Sequence, residues 1–174
     1  MLKKRGQVWI ETVIYTLIGL TIIGILISIV TPKINQMSDR AVMSQSINSL
    51  SKIDEQFSEI IVTPGNSRQF DLFFKKGEYI VDPNSSSIYY VLRDTGLLYS
   101  QLNSTILQGE VNVATFQKNG GYVILASLNY SSFNITYDSQ TKTKVLSASP
   151  SAYKILIENK GLVGDKTQIN LRSV

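Results

Sequence analysis

From Thr12 to Val30 the chain carries no charged residue, and Ile, Leu and Val dominate the stretch. A helix of about 20 predominantly apolar residues spans the hydrocarbon of a bilayer. The run therefore restricts the chain to architectures in which one helix is covered on all sides. Lys3, Lys4 and Arg5 stand ahead of it, and the positive-inside bias keeps that end cytoplasmic and sends the bulk of the chain outside. A secretory signal would have a shorter apolar core, about 7–15 residues, and then a small-residue cleavage site. Here the run is longer, and "VTPKINQMSD" offers no such site. The small residue that stands out is Gly6, on the other side of the apolar segment. Glu11 sits just inside the N-terminal edge, where a carboxylate costs up to roughly 2.5–3.5 kcal/mol at full depth and less near the interface. Its presence needs a reason.

Composition removes most chemistries. The 174 residues contain no Cys and no His, which excludes disulfides, thiolate nucleophiles, imidazole-ligated metals and His-based triads. No catalytic, cofactor-binding or metal-binding residue is expected, and the chain is read as a non-enzyme. The net charge of +4 comes from 17 basic and 13 acidic residues; without Lys3, Lys4 and Arg5 it is 14 − 13 = +1. No later basic cluster is interleaved with aromatics, so nucleic acid is not an expected partner. Asp71, Glu78, Asp82, Asp94 and Glu110 lack the spacing of a calcium loop and read as solvated turn and edge residues.

Beyond the apolar run, Ile34, Met37, Ala41, Ile47, Leu50, Ile53, Phe57 and Ile60 recur at steps of three or four, with one gap at Ser44. That is an amphipathic helix with a single apolar stripe. Its C-terminal half is expected to pack on the chain's own sheet, and its N-terminal half to be available to neighbouring helices. Pro32 should kink the join, and Pro64-Gly65 should end the helix near Ile61. Short β-branched and aromatic runs follow, among them "SSIYYVLRD", "EVNVATFQKNGGYVILASL" and "AYKILIEN". Turn signals such as "KKGE", "KNGG" and "NKGLVGDK" separate them, and "LLYSQLNSTILQ" is ambiguous between helix and strand. The expected fold is α+β: a long N-terminal transmembrane and amphipathic helix, then an antiparallel β-sandwich-like domain, Ig-like or a small barrel.

The stretch "KKRGQVWIE" followed by an unbroken apolar helix resembles the type IV pilin superfamily, and specifically archaeal prepilins with a class III signal peptide. The resemblance covers Lys3 to about Pro32. It implies that a membrane prepilin peptidase cuts between Gly6 and Gln7 on the cytoplasmic side. Glu11 then takes the place of the family's glutamate near the mature N-terminus. A carboxylate in an apolar setting is tolerable when a cation comes within hydrogen-bonding range, and the α-amino group of Gln7 is a cation created by the cut. Implied organisation is a leader over 1–6, a helix over 7–61 (7–30 membrane and filament core, 33–61 amphipathic), and an extracellular β-rich domain over 62–174. Implied partners are further copies of the chain in a helical filament, the peptidase, an assembly ATPase and a membrane platform protein. Trp9 is bulkier than usual so near the start, and Pro32 lies later than the kinking proline of many bacterial pilins. A permanently anchored single-pass binding domain and an archaeal flagellum-type subunit are the alternative readings. Gly24 and Ser28 form a small-xxx-small step that allows close helix approach. Four Asn-x-Ser/Thr triplets, at Asn84, Asn103, Asn129 and Asn134, are candidate N-glycosylation sites.

Overall fold

A computed structural model describes the backbone of residues 2–174 and the side chains of residues 8–174. The expected cleavage point at Gly6 and Gln7 falls among residues whose side chains lie outside that description. One helix, α1, runs over Leu2–Ile61 with Pro32 inside it, so the proline does not end the helix. The chain divides into two compact units, Met1–Ser38 and Asp39–Val174.

The second unit holds the end of α1 and ten strands: β1 Ser67–Leu72, β2 Glu78–Asp82, β3 Ser87–Thr95, β4 Thr105–Gln108, β5 Val111–Lys118, β6 Gly121–Asn129, β7 Phe133–Tyr137, β8 Lys144–Ser147, β9 Tyr153–Val163 and β10 Lys166–Ser173. They form a four-stranded sheet of order β1-β9-β10-β7 and a six-stranded sheet of order β4-β5-β6-β3-β2-β8. Pairing is antiparallel except between β7 and β10, which run parallel. The domain is thus mostly antiparallel, as expected, with one parallel pair. The β5–β6 hairpin turns on Asn119-Gly120, at φ 51° and 81°, the left-handed pair that a two-residue hairpin of matching twist demands.

The apolar stripe of α1 ends up inside. Met43, Ile47, Leu50, Ile53, Phe57 and Ile60 join one hydrophobic cluster with residues of both sheets. Phe57 stacks on Tyr130 at 4.5 Å between ring centroids, and Phe74 meets Tyr79 edge-on at 4.8 Å. Compared with the sequence pattern, the stripe passes through Met43, not Ala41: Met43 is fully buried and Ala41 exposed. Gly77 is required twice over. Its φ is +82°, and any Cβ there would collide with the Tyr90 hydroxyl, which donates to the carbonyl of Lys76 at 2.6 Å.

The ambiguous "LLYSQLNSTILQ" is irregular until β4 begins at Thr105. The turn expected across "NKGLVGDK" sits later, at Gly164-Asp165, because β9 continues through Lys160 and Gly161. Gly161 takes φ +83°, and its N–H donates to Oδ1 of the buried Asn159 at 2.8 Å.

Candidate functional site

Residues 8–30 of α1, Glu11 and Tyr15 apart, present apolar side chains on every face. Leu17, Ile18, Leu20, Ile22, Ile23, Leu26, Ile27 and Ile29 are each 50% or more exposed. A helix that is apolar all round belongs in a membrane or among other helices, and this one is long and apolar enough to cross a membrane. Its threonine and serine hydroxyls are turned back on the helix itself, while Tyr15 is 73% exposed. Thr12 donates to Val8 O at 2.9 Å, Thr16 to Thr12 O at 2.7 Å, Thr21 to Leu17 O at 2.8 Å, Ser28 to Ile25 O at 2.8 Å and Thr31 to Ile27 O at 2.8 Å. With these hydroxyls satisfied locally, the threonines and serines need no polar partner from the surroundings. Gly24 has nothing within 4 Å of where a Cβ would stand, leaving a flat patch beside Ser28. Glu11 lies on the exposed surface of the same helix, near the 72%-exposed Trp9 in sequence.

Within the second unit, polar side chains fasten residues 39–61 of α1 to the strands. Asp39, 4% exposed, accepts from Lys76 Nζ at 2.6 Å and from the Thr95 hydroxyl; Thr95 in turn accepts from the N–H of Leu97 at 3.0 Å. The Tyr79 hydroxyl donates to the carbonyl of Ser46 at 3.1 Å, and the Tyr130 hydroxyl to Asp54 at 3.0 Å. Burial pushes the Tyr79 phenol up to about 12. Burial, and after it the negative charge of Asp54, raises Tyr130, and burial raises Tyr90.

The C-terminal end of the helix is held from β9. Asn159, 1% exposed, donates its amide to the carbonyls of Ile60 at 2.9 Å and Ile61 at 3.3 Å. The last carbonyls of a helix have no partner within it, and here a buried side chain from a central strand supplies one. Sequence reasoning did not single out Asp39 or Asn159. Asp39 could have been found, since it stands four residues before Met43 on the buried stripe. Asn159 carries no such signal, because the helix carbonyls it holds lie about a hundred residues earlier in the chain.

The acidic residues noted in the sequence go to separate neighbourhoods. Glu78 pairs with Arg93 at 3.3 Å. Asp82 accepts from Ser85 at 2.7 Å and Thr143 at 3.1 Å, and the Ser85 bond is the main cause holding its carboxyl below the ordinary value. Asp71, Asp94 and Glu110 are exposed. Among the described residues no group of three or more carboxylates could hold a metal ion. All four sequon asparagines, Asn84, Asn103, Asn129 and Asn134, are exposed. No family model matches the chain, and no curated protein or solved structure matches it either.

Proposed function

We propose that this chain is the precursor of an archaeal type IV pilin-like subunit, cut between Gly6 and Gln7 and then assembled into a helical surface filament. The observation that carries the reading is the surface of residues 8–30, which exposes apolar side chains on every face and turns its threonine and serine hydroxyls onto the helix's own carbonyls. Such a surface suits two successive environments, lipid before assembly and a bundle of identical helices afterwards. The motif Gly6–Gln7 with Glu11 close behind adds the cut and the charge.

In this account the precursor lies in the cell membrane with its N-terminus cytoplasmic and its β-rich domain outside, the two sheets facing one another as a sandwich. The peptidase frees the α-amino group of Gln7. Glu11 then accepts from that ammonium, on the same or a neighbouring subunit, and the pair sets the register of the incoming helix. An ion pair in an apolar setting specifies geometry because loss of either member strands the other. Head-to-tail contacts that do not close on themselves build the fibre. The assembly ATPase and platform protein drive extrusion, and the filament serves attachment.

The test is electron microscopy of the sheared surface fraction from cells carrying wild-type chain or Glu11→Ala. Filaments containing the chain are expected from wild type and are lost in the variant, with the subunit retained in the membrane. Surface display without filaments, unchanged by Glu11→Ala, would instead mark a permanently anchored binding domain. Genes for a dedicated rotary motor beside this one would move the subunit to the flagellum type.

A further inference from the structure

The four Asn-x-Ser/Thr triplets differ in how they are built, and the difference separates one of them from the rest. A transferase that reads this motif must reach both the asparagine amide and the hydroxyl two residues on. Exposure of the asparagine alone is therefore insufficient.

Asn84-Ser85-Ser86 lies in the β2–β3 turn, and Asn103-Ser104 lies ahead of β4, which begins at Thr105. Asn103 has φ 57°, and Asn103 and Thr105 are both exposed. In the β2–β3 turn Asn84 is exposed, Ser86 is half-buried with φ 48°, and the Asn84 amide makes only a long 3.4 Å bond to Asp82. At Asn129-Tyr130-Ser131 both ends are exposed, with Tyr130 buried between them.

Asn134-Ile135-Thr136 is different. The whole triplet is inside β7, paired with β10 from Phe133 to Tyr137. Ile135 is 1% exposed and Thr136 5%. The Thr136 hydroxyl donates to Asn170 Oδ1 at 3.1 Å, and the same Oδ1 accepts from the N–H of Ser139 at 2.6 Å. To present that hydroxyl the chain must peel β7 from β10. The strand that closes the site arrives late, since Phe133 pairs with Thr167, 34 positions further along.

We propose that Asn134 is a folding-gated acceptor: an N-linked glycan reaches it only before β10 pairs with β7, whereas Asn84 and Asn103 accept one on the folded domain. The donor class is a sugar chain linked through its anomeric carbon to a lipid phosphate. The Asn Nδ2–C1 bond forms, the C1–O bond to the phosphate breaks, the phosphate keeps the electron pair, and an Nδ2 proton passes to an enzyme base. The inference rests on the domain being exported and is independent of filament assembly.

The experiment treats the full chain in detergent micelles with a single-subunit oligosaccharyltransferase and a lipid-linked oligosaccharide, once folded and once after trypsin digestion of the unfolded chain. Site occupancy is read by mass spectrometry, and circular dichroism verifies the folded sample. Expected occupancy at Asn134 in the folded chain is at least about tenfold below that in its peptide, while Asn84 and Asn103 differ by less than about threefold. Asn129 should fall between. Equal modification of Asn134 in both samples overturns the proposal, as does a folded chain in which Asn84 and Asn103 are also closed. Failure to form filaments would leave these occupancies unchanged.

Discussion

The two halves of α1 share a secondary structure and almost nothing else. Residues 8–30 expose apolar side chains on all sides, with Ile22 at 52% and Leu26 at 55%. Residues 39–61 bury one stripe, from Met43 at 0% to Ile60 at 0%, and face solvent elsewhere with Lys52, Glu55 and Glu59. The first half has exchanged specificity for a uniformly apolar surface; the second is tied to one partner by packing and by directed hydrogen bonds. Helix formation is thus a poor guide to what a helix does. The distribution of polar groups around it is the better one.

Truncation should separate the halves most widely. Phe57→Ala removes a 1%-exposed ring stacked on Tyr130 and is expected to cost about 3–5 kcal/mol of domain stability, read by urea unfolding in micelles. Ile22→Ala should leave the same transition within about 0.5 kcal/mol. A comparable loss from both would break the comparison.

Next in size is Asn159→Ala. It strands the carbonyl of Ile60 and the N–H of Gly161, and a buried group left without its bond costs about 1–3 kcal/mol. Asp39→Ala belongs in the same range, through loss of the Lys76 and Thr95 contacts. Thermal unfolding of each variant against wild type measures both.

Alkali gives a third separation. Tyr79, Tyr90 and Tyr130 have folded values raised by burial, so their contribution is complete below the ordinary phenol value near pH 10. It is lost as pH rises through the folded values, about 12 for Tyr79. Phenolate absorbance should appear together with loss of β-sheet signal between about pH 10 and 12, while the helical signal of residues 8–38 persists in micelles. The smallest effect is in acid. Asp82 and Glu158 are held below ordinary values, Asp82 mainly by Ser85 and Glu158 mainly by Lys160. Their stabilisation is present above about pH 4 and fades as pH falls through the lowered values. Both are near the surface, so the change should stay under about 1 kcal/mol.

The sequence made the helix legible because its signals are local: an apolar run, a period of three to four, and Pro64-Gly65 beyond the end at Ile61. Strand content and the Asn119-Gly120 hairpin were legible for the same reason. The parallel β7–β10 pairing was not, because a five-residue strand carries no mark of its partner's direction. Nor was the role of Asn159, whose isolated polar side chain resembles any turn asparagine until β9 is seen to continue past it. Local hydrogen bonds by Thr12, Thr16, Thr21, Ser28 and Thr31 follow from helix geometry once the helix is granted. Of the expected site, Glu11 and the sequons were located by motif, while closure of Asn134 depends on Asn170 in a distant strand.

The most direct test of the central claim is the N-terminal residue and intact mass of the protein recovered from its native membrane and sheared surface fraction. The account predicts a mature chain beginning at Gln7, enriched in the sheared material. A chain still beginning at Met1, in cells with an active prepilin peptidase, would contradict it and leave a membrane-anchored domain.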